Sequence, residues 1–134
     1  MTDITIGRTG KPPLSFSGEL LATETSQESK GYLYARHHVL TVYQTTSGKL
    51  VLHIEYTGSR KYREPGHVEA LVVSDASALP AALEKYDPLE RVIGYPAGEQ
   101  FTESQRKLLE HLQTGYYGAV GRLLAKCGVA ERVE

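Results

Sequence analysis

Residues 36–57, RHHVLTVYQTTSGKLVLHIEYT, constrain this chain more than any other stretch. Two runs rich in β-branched and aromatic residues, 39–45 and 50–56, flank Thr46-Ser47-Gly48, and glycine can supply the left-handed residue of a three-residue hairpin loop. If Thr45 faces Lys49, the pairs Tyr43 with Val51, Thr41 with His53 and Val39 with Glu55 fall on one face. Val42 with Leu52, Leu40 with Ile54 and His38 with Tyr56 fall on the other. The second set is nearly all apolar and reads as the core side. The first mixes Tyr43, His53, Glu55 and Thr41 and reads as a wet or functional face.

The rest of the chain must pack around that hairpin. Ile4 and Ile6 alternate in a short strand, and residues 7–13 carry turn chemistry. Leu14, Phe16, Leu20 and Ala22 then alternate with Ser15, Ser17, Glu19 and Thr23 in a long strand, with Gly18 placed for a bulge or bend. Polar residues 25–31 suit a hairpin loop, leading through residues 32–34 into the central hairpin. Ala70-Leu71-Val72-Val73 is apolar at every position, the pattern of a strand buried on both faces near the middle of a sheet.

Helical patterns follow. Asp75 or Ser77 can cap a first helix carrying Leu79, Leu83 and Tyr86, which Asp87-Pro88 ends. Residues 89–95 read as a short strand or extended link. Thr102 with Gln105 forms a capping-box pattern for a long helix to Gly128, striped by Leu108, Leu112, Tyr116, Ala119, Leu123 and Cys127. Gly115, Gly118 and Gly121 inside it favour one bent helix over two. The expected fold is α+β, a curved antiparallel sheet of about five strands with two C-terminal helices packed on one face. At 134 residues and 40% apolar content, residues 1–134 suffice for one domain, with the sheet in 3–74 and the helical part in 75–128.

Composition narrows function mainly by exclusion. A net charge of −1 gives no overall attraction for nucleic acid or an anionic membrane, so such binding would need a local patch. The single Cys127 cannot close an internal disulfide, and no apolar leader or membrane-length run occurs, so a soluble cytoplasmic protein is expected.

Nucleophile signatures are lacking. No Gly-x-Ser-x-Gly elbow is present, Ser104 to Lys107 matches Ser-x-x-Lys without its companion motifs, and Leu50 after Gly48-Lys49 replaces the hydroxyl of a P-loop. His53 with Glu55 and His67 with Glu69 repeat His-x-Glu on strands, a spacing that puts both side chains of a pair on one face. An imidazole beside a carboxylate can ligate a metal or act as an oriented base. Such pairs are also ordinary polar surface, and no metal or cofactor is expected.

The most distinctive local chemistry is in residues 58–66, GSRKYREPG. Arg60, Lys61 and Arg63 surround Tyr62 with no acidic residue until Glu64. Cations can grip phosphate while a ring stacks on a base, although a solvated loop has the same composition. The leading expectation is a small non-enzymatic binding or regulatory module, an inhibitor being one form. It would engage an anionic ligand, a nucleotide or nucleic acid, or a protein through residues 58–66, with Tyr43 on the polar sheet face. The alternative is a metal-assisted hydrolase using His53 and Glu55 with His67 or His37 nearby. The wide apolar stripe of the long helix further suggests a homodimer.

Overall fold

The computed structural model describes residues 2–26, 36–59, 63–92 and 103–129. The central hairpin is β3 (His37–Thr45) and β4 (Leu50–Thr57), in the register its loop implies: Tyr43 faces Val51, Thr41 faces His53 and Val42 faces Leu52. Gly48 takes φ +87°, and the Thr45 N–H donates to the Lys49 carbonyl at 2.8 Å to close the turn. Around it lie β1 (Thr2–Arg8), β2 (Lys11–Thr25) and β5 (His67–Val73), giving a five-stranded sheet ordered β1-β2-β3-β4-β5 with every neighbour antiparallel.

The sheet curls because of β2. Its first half pairs with β1 and its second half with β3, and Gly18 belongs to both ladders, opposite Thr2 and Thr45. A Cβ at this position would overlap the Gln44 carbonyl oxygen, so the two strands approach this closely only because residue 18 is glycine. A further register shift lies between Leu20 and Ala22. These features bend β2 and bring β1 round towards β5, where the Thr9 N–H donates to the Val68 carbonyl and the Val68 N–H to Thr9 Oγ1, both at 2.9 Å. The result is a half-barrel.

The bulge also corrects the expected faces of β2. Leu14 and Phe16 pack inside the curl, Ala22 packs on the opposite face under the helices, and Leu20 is more than half exposed. One extra residue shifts the alternation, so side chains that share parity before the bulge part after it. Residues 7–13 narrow to a turn at Thr9-Gly10, with Pro12 and Pro13 already in β2. β5 ends the sheet instead of lying in its middle. The curl covers its second face, burying Ala70 with Ile6 and Val51, while Val72 at the sheet's rim stays half exposed.

On the other face, Leu40, Val42, Leu52 and Ile54 form the main core with helical residues. Asp75 caps a short 3₁₀ turn, Ala76–Ala78, by accepting from the Ser77 N–H at 3.0 Å, and this leads into α1 (Leu79–Lys85). The long helix α2 (Glu103–Lys126) runs unbroken through Gly115 and lays Tyr116, Ala119 and Leu123, all fully buried, onto the sheet. Glu24 on β2 holds its C-terminal end by accepting from Lys126 Nζ at 2.7 Å and Arg122 Nε at 3.2 Å. Thr102 of the capping pattern, the loop 25–31 beyond Ser26, residues 32–34 and the link 89–95 beyond Val92 lie outside the described residues. No described helix is long and apolar enough to cross a membrane.

Candidate functional site

The basic loop is built around a buried acid. Arg60, Lys61 and Tyr62 lie outside the described residues; Arg63 is exposed, with φ +52°. Next to it Glu64 has a side chain with no solvent exposure. Its carboxylate accepts a forked pair from Arg36, Nε at 3.0 Å and Nη2 at 2.9 Å, together with the Ser59 N–H at 3.0 Å and the Tyr56 hydroxyl. Burial alone would lower the Arg36 pKa, but the hydrogen bonds and charge of Glu64 outweigh it and raise the value. Burial and Glu64 also raise the Tyr56 hydroxyl. The described part of this segment is therefore not all solvated surface: Ser59 and Glu64 are both buried.

Tyr43 is not beside this loop. It pairs with Val51, six residues along β4 from Thr57, where the loop begins, a span of about 20 Å at strand rise. Tyr43 instead shares the inside of the curl with His53 and Glu55. His53 Nε2 stands 3.6 Å from Glu55 Oε1, too long for a hydrogen bond, and burial lowers the imidazole pKa against the pull of that carboxylate. His67 is on the other face: it sits opposite Tyr56 in the β4–β5 ladder, whereas His53 sits opposite Ala70. The structure thus separates His67 from the His53–Glu55 pair. No cluster of three or more metal-ligating side chains occurs among the described residues.

One histidine of the hairpin lies in the core itself. His38 is fully buried against the rings of Tyr56, Tyr86 and Tyr116, with Nε2 3.1 Å from the Tyr86 hydroxyl and Nδ1 without a hydrogen-bond partner among the described residues. Burial first, and the neighbouring His37 second, lower its pKa from 6.5 to about 4. Between those values the unfolded chain binds a proton that the folded chain refuses. Stability is therefore complete above about pH 6.5 and falls as pH drops, by about 3 kcal/mol at pH 4. The lowered pKa of His53 acts in the same direction. Denaturant unfolding at pH 7 and pH 4 is expected to show this loss in the wild type and much less of it in His38→Phe. The same pH dependence in both would exclude His38 as its source.

A cleft rich in charged side chains lies at the junction of β1 and β5, between the sheet edge and α1. Its volume is about 450 Å³, and the cations Arg8, Lys11, Lys85 and Arg91 line it with two carboxylates, Glu69 and Glu90. Local folding explains how they meet. Arg8 and Lys11 face each other across the Thr9-Gly10 turn. Lys85 ends α1, where a cation suits the negative end of the helix. Arg91 follows a turn in which the Leu89 N–H donates to Asp87 Oδ1 at 2.9 Å. Buried His67 lies on the wall, its Nε2 3.0 Å from Glu69 Oε1 and 3.3 Å from Arg91 Nη2. One ring nitrogen cannot donate to Glu69 and accept from Arg91 in the same tautomer, so its proton chooses between them.

None of the four cations was legible as part of a site. None belongs to a run of like charge, and Lys85 and Arg91 each follow a glutamate, as solvated surface residues often do. An excess of two positive charges in a concave site can neutralise phosphate or carboxylate groups, and the volume suits a nucleotide-sized molecule. Compared with models of protein families, with curated proteins and with solved structures, the chain matches none. Fold and clefts together define the class: an α+β half-barrel covered by two helices, with a basic cleft at its seam.

Proposed function

We propose that this protein is a small non-enzymatic binding module, regulatory in role, that takes an anionic ligand into the cleft at the β1–β5 seam. The observation that carries the reading is the grouping of Arg8, Lys11, Lys85 and Arg91 against only Glu69 and Glu90. The basic residues 58–66 come just before His67 in the sequence, and in this reading they add to the binding of a larger anion such as a nucleotide or oligonucleotide. A binding role is favoured over metal-assisted hydrolysis because His67 stands on the opposite face from His53 and Glu55, and no group of three or more metal-ligating side chains occurs among the described residues. In this reading the protein works in the cytoplasm as a homodimer, with exposed Leu108 and Tyr117 of α2 supplying apolar contact.

Calorimetric titration with inorganic phosphate, ATP and an oligothymidylate tests the cleft. At least one is expected to bind with a log-log salt slope set by the phosphates neutralised. Lys85→Glu and Arg91→Glu should each weaken binding about tenfold or more, the loss of one charge-assisted contact. Both residues are exposed, so melting temperature should hardly move. Undiminished binding in both variants would place the anion elsewhere. Light scattering on the same samples at the mass of a 14.8 kDa chain would remove the homodimer.

A further inference from the structure

The half-barrel has a second cleft, on the inner face of the sheet. Its volume is about 520 Å³; Ile4, Ile6 and Val68 supply apolar wall, and Tyr43, His53 and Glu55 supply the polar side. The Tyr43 ring is held edge-on against Phe16, with centroids 5.5 Å apart, so its position is fixed by packing within the curl. Although this cleft and the basic one share Arg8, Thr9 and Val68, they lie on opposite faces of the sheet at the seam.

Their charge balance differs. Glu55 is the one carboxylate among the described lining residues, and its side chain is about half exposed. The His53 ring stands 3.6 Å from it, largely covered, and burial lowers the imidazole pKa further below neutrality. Arg8 is the one formal cation on the wall among the described residues. Its guanidinium is turned to backbone, Nε donating to the Pro12 carbonyl at 2.8 Å and Nη1 to the Ala70 carbonyl at 3.4 Å. Glu55 thus makes no ion pair with Arg8, and a carboxylate left open in this way, beside an aromatic ring and above aliphatic side chains, has the elements that recognise an organic ammonium ion.

We propose that this inner cleft is a second ligand site, selective for a small primary amine with an apolar or aromatic body. The ammonium group pairs with Glu55 and meets the Tyr43 ring, while the body lies against Ile4, Ile6 and Val68. The site shares Arg8, Thr9 and Val68 with the basic cleft but opens on the other face of the sheet and prefers the opposite charge.

Three probes of matched shape test this in calorimetric titrations: phenethylammonium, neutral 2-phenylethanol and anionic phenylacetate. The wild type is expected to bind phenethylammonium saturably below about 10 mM, at least about tenfold more tightly than the alcohol, and to show no binding of phenylacetate. Glu55→Gln keeps the shape of the side chain and removes its charge, so the amine should weaken at least about tenfold and approach the alcohol. Lys85→Glu should leave amine binding unchanged. The idea is overturned if the alcohol or phenylacetate binds as well as the amine, if no saturation occurs by about 10 mM, or if Glu55→Gln binds the amine like the wild type. The comparison among probes uses only the unaltered protein, so it decides the matter even if a variant folds poorly.

Discussion

Glu64→Ala is expected to cost about 3–5 kcal/mol of unfolding free energy, although residue 64 lies in a loop whose sequence looks like exposed charge. The side chain has no solvent exposure and accepts from Arg36 at two points, from the Ser59 N–H and from the Tyr56 hydroxyl. Truncation would remove the forked carboxylate from a guanidinium that is itself only 14% exposed, and leave a buried hydroxyl and backbone N–H to find other partners. A cavity adds to the loss. Urea unfolding followed by circular dichroism measures it. Glu64→Gln, which keeps an acceptor but loses the charge, should fall between wild type and alanine, whereas a loss below about 1 kcal/mol in Glu64→Ala would show that the network contributes no more than a surface pair. A selective effect on residues 58–66 would appear as faster proteolysis there, because Glu64 ties this loop to the base of β3.

The second large effect belongs to the hairpin. Leu52→Ala is expected to cost about 2–5 kcal/mol, since Leu52 is fully buried between the sheet and the helical layer, and a rigid surrounding core cannot collapse into the gap. Thr41→Ala, on the opposite face of β3, should cost only about 1 kcal/mol, mainly for its hydroxyl contact with Thr23 Oγ1 at 3.2 Å. The pair of variants reports on the register. A slip of one residue would exchange the two faces, so equal losses at both positions would contradict the arrangement of Val42 opposite Leu52 and Thr41 opposite His53.

The register itself was readable from the amino acids, because Gly48 sets the loop length and loop length sets the pairing. The core face Leu40, Val42, Leu52 and Ile54 followed from alternation with period two, and the buried stripe Leu112, Tyr116, Ala119 and Leu123 from helical spacing. These are local patterns, repeated over several residues, and chain geometry alone fixes which side chains share a face. The curl required more. Gly18 signalled a bend, but its direction and the regrouping of Leu14 and Phe16 away from Ala22 depend on β2 serving two ladders. The apolar run 70–73 read as a central strand for the same reason: in an open sheet only two covering layers would bury both faces, whereas here the sheet covers itself.

The basic cleft was beyond local pattern altogether. Arg8 and Lys11 come from the start of the chain, Lys85 and Arg91 from either side of a turn after α1, and nothing in their neighbours distinguishes them from solvated surface. Glu64 was hidden differently. Its nearest neighbours in sequence include several cations, yet it is committed to Arg36, 28 positions away, and to Tyr56 beneath the loop. Thus the sequence by itself determined the hairpin register, the main core face and the class of fold, because those follow from the periodicity of the backbone. Only the tertiary structure decided which charges meet and which are buried, because a side chain's partner across space leaves no mark on the residues beside it in the chain.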